Sequence, residues 1–314
     1  MAEPPPPFDA ANYKHAQREQ WNKDGAAWRR WTPTLDRWYG EATRRMLDLA
    51  WIQSGQRILD VAAGAGEPAV SAAERVGPSG YVLATDISEG IVELALQVAR
   101  ERGLNQVETR AMDGEKLDLP DASFDAVLCR LGLMYMPHPV TALREWRRVL
   151  KTGGRVAVVV FSTAERNDWG AMPASIIRRG LHVHLSSFAG QNSGEAPCGP
   201  SDRAVPAAAA VGPQRGLPGP FCLGGPGVLE GVFREAGFAH SEIHAVPAPH
   251  GASSSADYVR VAREAFGGFN VMMSRLSPEA RESVWNEIEV AMRCFESPEG
   301  FEAPGECLVA AATK

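Results

Sequence analysis

The chain lacks a long apolar run: no stretch reaches the roughly 18 uninterrupted apolar residues that a membrane-crossing helix needs, so no span is expected. It has no run of Lys or Arg, and a formal net charge of −6 leaves no basic footprint for nucleic acid. Its five cysteines are scattered, odd in number and without metal spacing. That speaks against a disulfide framework and fits a reducing, cytoplasmic compartment. His182-x-His184 has a chelating spacing, but the sequence sets no acid or thiol beside it, and no metal is expected. The opening Met-Ala-Glu-Pro-Pro-Pro-Pro lacks the basic and apolar regions of a signal peptide and reads as an extended tail. What the chain does have is 314 residues, 45% of them apolar, enough for one α/β core with additions.

The most informative segment runs from Ile58 to Glu74. Apolar residues lead into Asp60, a small-residue loop Gly64-Ala65-Gly66 follows, and Pro68 opens a helix-like stretch. The glycines allow positive φ and close approach of the backbone to a ligand. The helix behind them offers unpaired N–H groups. Such a loop after the first strand of an open α/β sheet is a nucleotide-binding place. Two chemistries fit it. Gly64-x-Gly66-x-x-Ala69, with Asp86 twenty residues past Gly66, matches a dinucleotide fingerprint. The alternative is S-adenosylmethionine (SAM), whose ammonium Asp60 can meet through water. Acids at Asp60 and Glu67 favour SAM, because NAD would bring a pyrophosphate to them. A Tyr-x-x-x-Lys pair for an NAD(P)-dependent oxidoreductase is also missing.

Further strands follow in βα alternation. Tyr81–Ile87 ends at Asp86, whose carboxylate can accept both ribose hydroxyls. Val107–Gly114 ends at Asp113, which can accept from the adenine amine. Residues 124–130 and 154–161 make two more strands, with helices at 88–102 and 139–150. Near-continuous apolar strands imply a parallel sheet covered on both faces.

On these residues the chain resembles the class I SAM-dependent methyltransferases. Within them it is similar to the branch of ubiquinone/menaquinone C-methyltransferases and small-molecule methyltransferases. The resemblance rests on Ile58-Leu59-Asp60 with Gly64-Ala65-Gly66, on Ala84-Thr-Asp86-Ile87-Ser88, on Asp113-Gly114 through Phe124-Asp125, and on Glu145 through Arg155. It covers about residues 50–162 and returns in outline over the last hundred. It implies a Rossmann-like α/β fold with seven strands in the order 3-2-1-4-5-7-6, strand 7 antiparallel. It also implies SAM contacts at Ala65, Asp86, Ile87, Asp113, Gly114 and Arg130. Relatives often carry a small or polar residue at the last position, which leaves Arg130 its backbone as the expected contact. The product would be S-adenosylhomocysteine.

Before this core, Trp21, Trp28, Trp31, Leu35 and Trp38 lie on one helical face. Pro33 interrupts the pattern, so two helices are expected, about 10–31 and 34–50. The stripe reads as a docking face, with Trp21 and Trp28 chosen to line the cofactor or acceptor pocket, where an indole face can meet a cation. After the fourth strand, Met134, Tyr135 and Met136 form a soft apolar wall. Tyr135 and His138 are the candidates to contact an acceptor, and the plainer reading of His138 is a solvent-facing residue at a helix start. Cys129 reads as a small hydrophobe in a strand.

Four segments are expected: a helical cap at 1–50, the SAM-binding core at 51–163, an insertion at 164–225, and completion of the sheet at 226–314. The insertion carries a helix from Trp169 to Arg179, then Gly-, Pro-, Ser- and Ala-rich chain at 186–225 without regular structure. The last segment has a helix ending at Gly237, a strand at 241–248, helices at 255–266 and 278–295, and a strand at 305–313. The two helices are expected to close the acceptor pocket. The sequence thus describes a methyltransferase acting on a small, fairly apolar molecule at carbon or oxygen, with a homodimer left open. A SAM-binding protein without turnover and an NAD(P)-dependent oxidoreductase are the alternatives.

Overall fold

The computed structural model describes residues 8–189 and 217–314, with the side chains of 182–189 outside the description. The expected polyproline tail, most of the loop at 186–225 and the side chains of His182 and His184 therefore lie outside the described residues.

The chain begins with one helix, α1 (Ala10–Leu49), capped by Asp9, whose carboxylate accepts from the N–H groups of Ala11 and Asn12 at 3.0 Å. This corrects the expectation of two helices. Pro33 sits inside α1 and removes one N–H, yet the helix continues. Its flanks are tied down on both sides: Arg29 bonds Gln97, Trp31 bonds Glu264, and Trp38 and Tyr39 are buried. Tertiary packing outweighs the local cost of the proline.

The core follows as β1 (Arg57–Val61), α2 (Ala69–Val76), β2 (Tyr81–Asp86), α3 (Glu89–Glu101), β3 (Val107–Ala111), β4 (Phe124–Arg130), α4 (Pro139–Val149) and β5 (Leu150–Phe161). Then come α5 (Asp168–Ala189), α6 (Val228–Glu235), β6 (Ser241–Pro247), β7 (His250–Ala252), α7 (Ser255–Ala265), α8 (Gly267–Met272) and α9 (Pro278–Met292). The last elements are β8 (Glu296–Ser297), β9 (Gly300–Ala303) and β10 (Glu306–Thr313).

The main sheet has seven strands in the order β3-β2-β1-β4-β5-β10-β6. The first five run parallel, and β10 lies antiparallel between β5 and β6. With β10 as the seventh strand, this is the expected order. Strands β1, β4 and β5 are buried on both faces, as the continuous apolar runs required. Helix α5 runs on to Ala189, beyond the expected Arg179, and α8 was not foreseen. Neither was a small antiparallel sheet, β7-β9-β8, whose strands flank α7, α8 and α9 in the chain.

The cap is pinned by a buried aromatic cluster. Trp169 stacks on His250 with ring centroids 4.2 Å apart, and Trp38 lies 4.3 Å from the same imidazole. His250 shares a 2.9 Å hydrogen bond with Tyr39 Oη, and the Trp38 indole donates to the Gly251 carbonyl at 2.8 Å. Burial pushes the His250 imidazole down to about 3, so it is neutral at ordinary pH.

Candidate functional site

The parallel strands end along one edge, and there the chain leaves a cleft of about 1070 Å³ including its open mouth. One wall is made of strand ends and the loops that follow them: Val61–Ala65, Asp86, Ile87, Met112–Gly114 and Arg130–Gly132. The other is the inner face of α1: Tyr13, Lys14, Gln17, Trp21, Trp28, Leu35 and Asp36 among them.

The loop after β1 has the backbone the sequence required. Gly64 has φ +56°, and a Cβ built there would meet nothing within 4 Å, so the position opens on free space. Two non-glycine residues on the same rim, Ala62 and Leu131, also have positive φ, at 58° and 59°. Conformations of this kind cost of order 1–3 kcal/mol each and persist where the surroundings impose them. Here the ends of β1 and β4 crowd one another: a Cβ on Gly132 would lie 2.5 Å from that of Ala62.

The acids are placed as follows. Asp60 is fully buried, and neither carboxylate oxygen has a hydrogen-bond partner. Burial holds its pKa well above the usual range, against the pull of Arg130. Asp86 is buried at the end of β2. One oxygen accepts from Gly64 N and the other from Ser88 N, both at 3.1 Å. Burial pushes its pKa up to about 6, opposed by those backbone N–H groups. Asp113 receives Lys14 Nζ at 2.7 Å on one oxygen and Glu115 N at 2.9 Å on the other. Glu67 and Asp36 line the same cleft, and burial raises both. Four carboxylates therefore line the cleft (Asp36, Glu67, Asp86, Asp113) against two cations, Lys14 and Arg130. That balance favours a ligand carrying positive charge over one carrying a pyrophosphate.

Of the residues expected from the sequence, Gly64, Ala65, Asp86, Ile87, Asp113, Gly114, Arg130, Trp21, Trp28 and Tyr135 all line this cleft. Asp60 lies directly behind it, and Gly66 turns the loop with φ +122°. His138 is exposed as the N-cap of α4, its N–H bonded to Glu115, and is not among the lining residues. Burial raises the Tyr135 hydroxyl above its ordinary value, so it keeps its proton and can donate. Tyr13, Lys14, Gln17 and Asp36 were missed. They sit on the Trp21–Trp28 side of α1, so the same helical period could have found them. The Tyr13 hydroxyl is buried without a partner and adds a second free donor to the wall.

A second cavity of about 630 Å³ adjoins the first through Gln17, Trp21, Trp28 and Tyr135. Its other walls are Trp169, Phe221, Phe266 and Phe269, and no charged side chain is among its described lining residues. The indole of Trp28 donates to the Ala265 carbonyl at 2.6 Å, which fixes its plane between the two cavities.

Residues 59–158 match the family model described as a methyltransferase domain. Over 120 residues the chain is 38% identical to the ubiquinone/menaquinone biosynthesis C-methyltransferase UbiE of Pseudomonas entomophila (strain L48), covering 38% of this chain and 47% of that protein. Over 114 residues it is 38% identical to the aklanonic acid methyltransferase DauC of Streptomyces sp. (strain C5), covering 36% of this chain and 52% of that one. The chain spans about half the length of the curated relatives it matches. Its fold is similar to that of a methyltransferase candidate from Bacillus halodurans C-125, at 20% identity and TM-score 0.54, covering 87% of this chain and 99% of that one. YcgJ from a Bacillus species is similar too, at 19% identity and TM-score 0.53, with 88% and 98% covered.

Proposed function

We propose, on the premise that residues 59–158 are a class I SAM-dependent methyltransferase domain, that the chain transfers a methyl group from SAM to a small, neutral, largely apolar acceptor at carbon or oxygen. The observation that carries the reading is the cleft at the strand ends, which a glycine turn and two strand-end acids face and behind which a buried, unpartnered carboxylate lies.

The residues present fit the cofactor. Asp60, with two unpartnered oxygens, suits a nearby ammonium reached through water. Asp86 suits ribose hydroxyls and Asp113 the adenine amine, once Lys14 yields one of its contacts. When bound, SAM supplies an electrophilic methyl group on a sulfonium. The chain's part is to exclude water, align the acceptor and leave the dispersing positive charge unopposed. The aromatic cavity holds the acceptor. Trp21, Trp28 and Tyr135 stand at its junction with the cofactor cleft, and Tyr135 orients an acceptor oxygen by donating to it.

Tyr135 at the junction and Tyr13 in the cofactor cleft are phenols held protonated by burial. An acceptor that loses its own proton readily, such as an enol, a phenol or an activated methylene, suits such a site. No helix among the described residues is long and apolar enough to cross a membrane.

Calorimetry with S-adenosylhomocysteine, SAM and NAD tests the cofactor, followed by a labelled-methyl screen across acceptor classes. Binding of S-adenosylhomocysteine in the micromolar range, about 7–8 kcal/mol, with no NAD binding is the expected result. Tight NAD binding without S-adenosylhomocysteine binding overturns the reading.

A further inference from the structure

Gln17 lies on α1 one turn after Tyr13 and one turn before Trp21, on the face that lines the site. Among the described residues, it borders both the cofactor cleft and the aromatic cavity, a place it shares only with Trp21, Trp28 and Tyr135. The residue is 8% exposed, and its side-chain amide has no hydrogen-bond partner among the described residues. A buried amide left without a partner is costly, and native proteins normally satisfy such groups.

The polar groups around it are mostly engaged. Gln20, on the cavity wall, turns its Nε2 to Asp24 at 3.4 Å. The indole N–H of Trp28 donates to the Ala265 carbonyl at 2.6 Å, and that of Trp169 to Asn167 Oδ1 at 3.0 Å. Three polar groups at the junction keep no hydrogen-bond partner among the described residues: the Tyr135 hydroxyl, the Trp21 indole N–H and the Gln17 amide. Of these, only the amide carries a carbonyl oxygen, with an NH2 group beside it. It is also held in position. Asn22 Oδ1 accepts from Ser88 Oγ at 2.5 Å, and the Trp28 bond fixes the same stretch of α1 from the other side.

We infer that Gln17 selects the acceptor: its amide binds a hydroxyl on a flat ring enclosed by Trp169, Phe221, Phe266 and Phe269, accepting the O–H hydrogen while Tyr135 donates to the same oxygen. This rests on the methyltransferase reading above and names the group that the acceptor must carry. An oxygen that takes a hydrogen from a phenol and gives one to an amide is a hydroxyl. Neither an ether nor a carbonyl oxygen has a hydrogen to give. The same ring with a methyl group in place of the hydroxyl leaves two buried polar groups unpaired, which is how such sites reject an analogue. The competing role is a contact to the cofactor, in which the amide faces the cleft and is indifferent to what fills the aromatic cavity.

2-Naphthol and 2-methylnaphthalene, flat rings that differ by a hydroxyl for a methyl group of similar size, separate the two roles. Their binding is measured by equilibrium dialysis on protein saturated with S-adenosylhomocysteine, whose own affinity is measured by calorimetry. Gln17→Leu should weaken 2-naphthol about tenfold, the loss expected for a buried hydrogen bond. It should leave 2-methylnaphthalene and S-adenosylhomocysteine within about threefold of wild type. Gln17→Met should do the same, and it decides where the Leu variant gives no cooperative melt. Equal weakening of both naphthalenes makes Gln17 a packing residue and overturns the inference. So does an unchanged naphthol affinity, whether S-adenosylhomocysteine weakens, as a cofactor contact requires, or holds. A wild type that takes up S-adenosylhomocysteine but neither naphthalene overturns it as well. A wild type that does not bind S-adenosylhomocysteine removes the methyltransferase reading itself, and this inference with it.

Discussion

The two walls of the cleft differ in what holds their side chains. On the sheet side, acids are fixed by backbone N–H groups a few residues away: Asp86 by Ser88, Asp113 by Glu115. On the helical side, indoles are fixed by carbonyls and carboxylates brought from far along the chain: Trp28 by Ala265, Trp31 by Glu264, Trp38 by Gly251. The sheet wall is thus set largely by the local turn after each strand, with Gly64 N and Lys14 Nζ adding one distant bond each to Asp86 and Asp113. The helical wall exists only when α1 and the 250–269 region have docked. On the proposed function, the acids that would recognise a cofactor and the indoles that would confine an acceptor are therefore held mainly by different means, with Lys14 of α1 as the link between the walls.

The largest effect should come from the docking side. Trp38→Ala removes a buried indole stacked near His250 and should cost about 3–5 kcal/mol of stability. The molecules that remain folded should still bind S-adenosylhomocysteine, because Trp38 is not among the residues lining the cleft. Denaturant unfolding beside calorimetry checks this. A parallel loss of affinity would show that the two walls are coupled.

Asp86→Ala should act the other way, weakening S-adenosylhomocysteine by about 1.5–3 kcal/mol through loss of a charged acceptor. Its effect on the unliganded protein is the balance of two opposed terms. Two backbone N–H groups lose their acceptor, and a carboxylate that burial disfavours is removed. A melting temperature that collapses while affinity holds would make Asp86 a turn-capping residue and nothing more.

Titration gives the smallest and most discriminating comparison. The pKa of His250 is about 3 when folded and ordinarily near 6.5. Its contribution to stability is therefore present above pH 6.5 and is lost as pH falls through the window toward 3, about 2 kcal/mol by pH 5. Asp86 has the opposite sign. Its pKa is raised to about 6, so its contribution is present below the ordinary carboxylate range and lost as pH rises through 6. Melting temperatures from pH 7 to 5 should thus fall less for His250→Gln than for wild type. Affinity for S-adenosylhomocysteine should rise about tenfold from pH 5 to 7 as Asp86 ionises. Parallel melting curves for the two proteins would mean that His250 is not held neutral in the cap.

What the sequence made legible follows the same division. Asp60, Gly64, Asp86 and Asp113 each belong to a contiguous strand-and-turn motif, and the strand order agrees with the expectation built on those motifs. Local rules misjudged α1, because Pro33 is a helix breaker only when nothing else holds the chain. They gave no sign of α8, which opens on two glycines, or of β7, β8 and β9, which span two to four residues and have no period to detect. The bond from Lys14 to Asp113 joins positions 99 apart, so nothing in either neighbourhood announces it. Arg130 was visible as a residue, but its direction was set by Thr43 and Asp36 on a helix that the strand motif does not mention.

The place of β10 has a consequence for the order in which the chain is made. β5 presents Arg155-Val-Ala-Val-Val-Val-Phe161 to β10, and among the described residues β6 pairs in the sheet only with β10. When β6 leaves the ribosome, it has no strand to join, and the apolar edge of β5 stands open until α7, α8 and α9 have been synthesised. An uncovered edge of that kind is a template for pairing with another chain. The helices of the cap therefore emerge in the interval when that edge is bare, and the strand that seals the sheet arrives after the pocket's roof.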